Sequence, residues 1–217
     1  MKKGLNIGIS SLFEEAERYI KNGTEQLSIQ NSMGLFGFTP QRFLEGDGLL
    51  TNAKQLHSQK SDLYGDKLEI SSQLKIQEEE ARQTFMDQVA TVRYVFRNEP
   101  ATLSKFNVSK VSRKMSAWTL QAAYFYSKAE EYADVLAVQG LSPEVLAQTA
   151  AMIQAVADAR NQRLMRKGEA EEATRMRNES VKALKEWMKD FRGIARIALK
   201  DSPQLLEALG IVVKAKV

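Results

Sequence analysis

Apolar side chains recur along this chain at steps of three and four. Trp118, Ala122, Phe125, Ala129, Tyr132 and Leu136 fall on one face of an α-helix for about five turns. Trp187, Phe191, Ile194 and Ala198 repeat the spacing, and so do Phe85, Val89, Val92 and Phe96. The period-two alternation of a half-buried strand is absent over any useful length. The pattern predicts an all-α protein.

Glycine and proline cut the helical pattern at matching places in the two halves. Gly37-Phe38-Thr39-Pro40 recurs as Gly140-Leu141-Ser142-Pro143, Gly65 as Gly168, and Pro100-Ala101-Thr102-Leu103 as Pro203-Gln204-Leu205-Leu206. Each pair stands 103 residues apart with no insertion or deletion. These residue types mark changes in backbone direction, so their agreement predicts an internal duplication. Gly37 and Gly140 are placed to end a helix, while Thr39-Pro40 and Ser142-Pro143 offer a capping hydroxyl before a proline at the first helical position. Ser202-Pro203 repeats that device before a short terminal helix.

The punctuation predicts helices over 10–33, 41–63, 67–98, 111–138, 143–166 and 170–200. Gly65 and Gly168 are read as breaks, with a kink in a continuing helix as the alternative. The expected architecture is a six-helix antiparallel up-and-down bundle with pseudo-two-fold symmetry at an offset of 103. Its repeats are 1–108 and 109–217, packed together as one bundle domain, with 99–112 a short linker carrying one helical turn.

Composition removes several chemistries. Among 217 residues there is no cysteine, so disulfides, thiolate metal sites and cysteine nucleophiles are excluded. Only 12 glycines and 4 prolines are present, too few for the many turns of an all-β chain. The start, Met1-Lys2-Lys3-Gly4 and a weakly apolar stretch to Phe13, resembles a signal peptide superficially. It contains Asn6, Ser10 and Ser11 and runs into Glu14-Glu15-Ala16-Glu17 without a cleavage site. No stretch approaches the roughly 18 apolar residues of a membrane span. A cytoplasmic location without membrane contact is expected.

Candidate chemistry is sparse. His57 is the single histidine and is preceded three residues earlier by Lys54, so the paired Glu-x-x-His sets of di-iron bundles are excluded. It reads as a surface or partly buried helix residue. Gly46-Asp47-Gly48 lacks the lysine of a nucleotide loop and the spaced carboxylates of a calcium loop, and reads as a fray or kink. No catalytic, metal or cofactor set emerges, and no cofactor is expected.

Three surfaces remain. Phe36 and Phe38, in the apolar run Ser32-Met33-Gly34-Leu35-Phe36-Gly37-Phe38, either form a docking surface or cap the end of the bundle. Tyr124 and Tyr126 flank the apolar stripe of their helix and face either a second chain or solvent. Residues 160–200 hold 12 Lys and Arg against 6 Asp and Glu, whereas 57–97 hold 6 against 7. Arg160, Arg163, Arg166 and Lys167 are the candidate phosphate contacts. The bland alternative is a solvated face laced with Glu169, Glu171, Glu172, Glu179 and Glu186 at helical spacing. A third is docking on the Glu78-Glu79-Glu80 stretch of another copy.

The stretch from Trp187 to Ile211, with Phe191, Ile194-Ala195-Arg196, Ala198-Leu199 and Asp201-Ser202-Pro203-Gln204-Leu205-Leu206-Glu207-Ala208-Leu209-Gly210, resembles a segment of uncharacterised bacterial helical-bundle proteins. The resemblance implies a bacterial origin and a repeated helical bundle, and brings no activity. A non-enzymatic interaction or scaffold protein is expected, with a protein partner or a homo-oligomer. Nucleic-acid binding through the basic helices of 160–200 is the alternative.

Overall fold

In a computed structural model, which describes residues 8–212, the glycine turns do what their sequence requires. Gly37 and Gly140 take φ of 82° and 83°, the left-handed region where a side chain is strained. The N–H of Phe38 reaches back to the carbonyl of Met33 at 3.1 Å and that of Gly37 to Gly34 at 3.1 Å. Leu141 to Leu136 and Gly140 to Ala137 repeat this at 3.2 and 3.0 Å. The geometry is a Schellman motif, which brings the residue after the glycine onto the residue five back. Phe38 and Met33 are accordingly both buried, as are Leu141 and Leu136. Gly210, at φ 73°, closes the chain in the same way through Ile211 and Leu206.

Between these turns the described residues are helical, without strands. The elements are α1 (Ile9–Glu25), α2 (Leu27–Gly34), α3 (Pro40–Val95), α4 (Pro100–Lys105), α5 (Met115–Ala129), a 3-10 turn (Glu130–Tyr132), α6 (Ala133–Ala137), α7 (Pro143–Ala198) and α8 (Pro203–Ala208). None is long and apolar enough to cross a membrane. The Met1-Lys2-Lys3-Gly4 start of the signal-like stretch lies outside the described residues.

The all-helical class stands; the expected set of six helices does not. The helices read as 41–63 and 67–98 are one helix, α3, and those read as 143–166 and 170–200 are one helix, α7. A single interior glycine costs only about 1 kcal/mol relative to alanine. Neither Gly65 nor Gly168 is followed by a proline or a capping residue paired with one, so the helix runs through. The helix expected over 10–33 is instead broken at Gln26, which takes φ −99° and ψ 102°. Just before it, the Thr24 hydroxyl donates to the carbonyls of Ile20 and Lys21 at 2.8 and 3.0 Å. The helix expected over 111–138 starts at Met115 and passes through the 3-10 turn into α6.

Two compact units result. The first joins the chain up to Leu63 with the chain from Ala170 onward; the second is Tyr64–Glu169. The boundaries of these units fall inside α3 and inside α7. The first unit contains α1, α2, the beginning of α3, the end of α7, and α8. The second contains the end of α3, α4, α5, α6 and the beginning of α7.

In the first unit α3 and α7 run antiparallel, tied by Trp187 Nε1 donating to the carbonyl of Arg42 at 2.9 Å and by Asn52 Nδ2 donating to Ser180 Oγ at 3.1 Å. Its core is aromatic: Phe191 stacks on Tyr19 with ring centres 4.6 Å apart and meets Phe38 edge-on at 5.3 Å. In the second unit Gln88 Nε2 on α3 donates to Thr149 Oγ1 on α7 at 2.8 Å. Its core centres on Phe85, Trp118 and Phe125. The 99–112 linker is pinned there rather than loose. Gln121 Nε2 donates to the Lys110 carbonyl at 3.0 Å, Arg82 to Ser112 at 2.8 Å, and Arg93 to Val108.

Candidate functional site

The first unit has a groove of about 830 Å³ between the turn that precedes α3 and the last turns of α7. Phe36 and Ile197, each about half exposed, form apolar walls. Gly193 lies in the groove with nothing beside its Cα, so a ligand backbone can approach α7 there. Lys189, Arg192 and Arg196 line it from the same helix, and Arg42 from α3.

The second unit has a groove of about 610 Å³ walled by Tyr94, Val135 and Val138, with Arg97 and Asp134 beside them. Tyr94 stands 103 residues before Ile197, and Leu35, at the turn of the first unit, 103 before Val138. These four side chains keep much of their surface in water: 61% for Tyr94, 53% for Ile197, 87% for Leu35 and 81% for Val138.

Of the four side chains expected at a partner surface, Phe36 and Tyr124 are exposed. Phe38 and Tyr126 are buried; for Phe38 this is the capping alternative to a docking surface, and for Tyr126 it corrects the expectation of a side chain facing a second chain or solvent. Phe38 is drawn in by the Schellman contact with Met33 and packs against Phe43 with ring centres 5.0 Å apart. Tyr126 packs on Phe125 at 5.1 Å and faces Phe85 at 6.1 Å. Phe36 and Tyr124 belong to different units and share no groove.

The basic stretch divides into two parts. Along 160–179 the cations are mostly engaged within the chain. Arg163 Nε donates to Ser71 Oγ at 3.1 Å, Arg166 pairs with Glu169 at 2.7 Å, and Arg175 with Glu172 and Glu179. Donating to Glu169 raises the pKa of Arg166, and accepting from Arg175 lowers the pKa of Glu172. Arg160 is half-buried and Lys167 exposed. Helical pairing of this kind is the solvated-face reading of the sequence.

Further along, Lys182, Lys185, Lys189, Arg192, Arg196 and Lys200 follow one another at steps of three and four and so share one stripe of α7. Arg192 pairs with Glu15 at 3.3 Å and Lys189 more loosely with Glu186 at 3.7 Å. Lys182, Lys185 and Arg196 are exposed and make no ion pair among the described residues. This stripe escaped the sequence reading, which placed the phosphate candidates about four to six turns before Lys182. Ile197 and Leu35 were missed as well, although Tyr94 and Val138 at the 103-residue offset carry the same signal.

Two polar features lie inside. In the second unit Gln88 Oε1 and the Tyr126 hydroxyl are buried without a hydrogen-bond partner. Burial pushes the pKa of Tyr126 upward, against a smaller opposite effect of the neighbouring Thr149 hydroxyl. Thr149 itself already accepts from Gln88 and donates to the Val145 carbonyl at 3.0 Å. In the first unit His57 is half-buried, its ring edge-on to Phe13 at 5.9 Å. Among the described residues no three His, Asp or Glu side chains come close enough to hold a metal ion. No described protein family, curated protein or solved structure matches the chain.

Proposed function

We propose that this chain is a non-enzymatic scaffold built from a duplicated helical unit, each compact unit offering an apolar docking groove to a protein partner. The observation that carries the reading is the exposure of Leu35 and Ile197 in one unit and of Val138 and Tyr94, at the offset of 103, in the other. A lone exposed aliphatic side chain needs no explanation. The same positions left in water twice do, because covering a side chain of this size is worth about 1.5–3 kcal/mol.

Several features support the duplication. Helices α3 and α7 both contain 56 residues, α4 and α8 both contain 6, and each pair is offset by 103. Buried positions coincide as well: Phe43 with Leu146, Leu50 with Ile153, Phe85 with Met188, Phe96 with Leu199, Phe106 with Leu209. On this reading each compact unit takes the first part of one repeat and the last part of the other. The resemblance of 187–211 to a segment of bacterial bundle proteins agrees and adds no activity.

The test is retention of a stoichiometric partner, or a defined oligomer by light scattering, with the intact chain. Ile197→Glu and Val138→Glu should each weaken it. A monomer that retains nothing refutes the scaffold. Nucleic-acid binding through 160–200 is the second reading, favoured by the unpaired Lys182, Lys185 and Arg196. It requires an affinity that falls steeply with salt and with charge reversal on this stripe.

A further inference from the structure

We propose that the groove of the first unit takes an acidic amphipathic helix of a partner protein; the inference rests on the scaffold reading and names the chemistry of one of its partners. Two properties of the groove meet in such a ligand. Its walls at Phe36 and Ile197 are apolar, and Gly193 opens the floor between them. Apolar side chains at i, i+3 and i+4 of a helix fill a groove of that kind.

The rim is cationic on one side. Lys189, Arg192 and Arg196 line the groove from α7 and Arg42 from α3, against one carboxylate, Asp190, which Arg42 meets at 3.4 Å. The stripe continues beyond the groove to Lys185 and Lys182, and among the described residues Lys182, Lys185 and Arg196 make no ion pair. Aspartate or glutamate flanking the apolar stripe of a ligand helix would supply the missing partners. The equivalent positions on α3, Glu79, Arg82, Met86, Val89, Arg93 and Arg97, hold fewer cations, and in the second groove Arg97 is the one lining cation and Asp134 the one carboxylate. The charge selects one groove of the two. A nucleic-acid backbone would satisfy the cations and leave Phe36 and Ile197 in water. A bilayer plane would need those side chains to stand clear of the cations, and here they wall a concavity.

The experiment uses the intact chain and a labelled synthetic peptide with leucine at i, i+3, i+4 and i+7 and glutamate elsewhere, followed by fluorescence anisotropy. Saturable, salt-sensitive binding is expected, weakened about tenfold or more by Arg196→Glu and by Ile197→Glu. Both sites are exposed, and circular dichroism confirms that the variants fold. The proposal is overturned by no saturable binding, by equal binding of the same peptide with lysine for glutamate, or by indifference to both substitutions. Tighter binding of phosphatidylserine vesicles or of duplex DNA overturns it too, as does self-association abolished by the same variants. If the double variant still retains the chain's native partner, this inference fails and the scaffold reading stands; if the intact chain retains none, the scaffold reading itself fails.

Discussion

Gly46 lies beneath the indole of Trp187, in contact so close that a methyl group at residue 46 would overlap the ring. The indole uses the opening to donate Nε1–H to the carbonyl of Arg42, one turn earlier on the same helix. Gly23 stands in the same relation to Phe43. At the offset of 103 the second unit has Thr149 for Gly46, Tyr126 for Gly23, Thr84 for Trp187 and Gln88 for Phe191. Bulk has moved from one helix to its neighbour while the filled space has stayed filled, as close-packed interiors require.

Gly46→Ala should therefore destabilise the chain by about 1–2 kcal/mol, since overpacking costs roughly 1–3 kcal/mol and the gain in helix propensity recovers up to about 1. In a Trp187→Leu background the same change should become neutral or stabilising, a coupling read by a double-mutant cycle in urea. Additive effects in the two backgrounds would show that the indole is not what the methyl group meets.

Gly65 and Gly168 call for the opposite sign. Both lie inside continuous helix with nothing near the position of a Cβ. Gly65→Ala and Gly168→Ala should each stabilise by about 0.5–1 kcal/mol. Gly37→Ala, at φ 82°, should cost about 1–2 kcal/mol. Thermal melts of the three variants separate an interior glycine from a turn glycine, and a loss at Gly65 would mean that the helix does break there.

The contrast between these glycines also shows what the sequence could convey. Gly37 and Gly140 were legible as helix ends because a capping hydroxyl and a proline follow two and three residues later, so several local signals agree. Gly65 and Gly168 stand alone, and a lone glycine is a small penalty that neighbouring turns override. The division of α3 and α7 between the two compact units was not legible: Gly65 and Gly168 stand within two residues of Leu63 and Glu169, yet helix continues through them, and the division rests on contacts distant in sequence. At the candidate site, Phe36 was legible as exposed turn and Phe38 was not separable from it by composition. Only the Schellman register sends one out and the other in. The free cations of 182–200 were obscured because the glutamates that neutralise 160–179 lie in the same charge window.

Tyr19 and Tyr126 make the stability sensitive to alkali. Burial is the main cause that raises both, and for Tyr19 the hydrogen bond to Glu15 adds to it. A phenol raised in the folded state contributes stability that is full below its usual value of 10.0 and is lost as pH climbs above it, because the unfolded chain then releases the proton first. The urea midpoint should hold from neutral pH to about pH 10 and then fall. Tyr126→Phe should flatten part of the fall. It should also raise stability at neutral pH by about 1 kcal/mol, since it removes a buried hydroxyl without a partner. A midpoint independent of pH across this range, or a Tyr126→Phe chain that is less stable at neutral pH, would contradict the packing around this ring.

Because each compact unit takes residues from both 1–108 and 109–217, neither half of the chain should fold alone as a monomer. Fragments 1–108 and 109–217 should each lack a cooperative melt and recover one when mixed at equal amounts, as a one-to-one complex by light scattering. A homodimer of 109–217 is the competing product, and the cores argue against it. It would set Trp187 against Thr149, where the intact chain gives it Gly46. A homodimer of 1–108 would set Thr84 against Gly46 and leave the space of the indole unfilled. Overpacking on one side and a cavity on the other both cost free energy, so the mixed pair should win over either homodimer. A half that melts cooperatively as a monomer would show that the compact units do not depend on both halves, and a 109–217 homodimer as stable as the mixed pair would show that Gly46 is not the complement of the Trp187 indole.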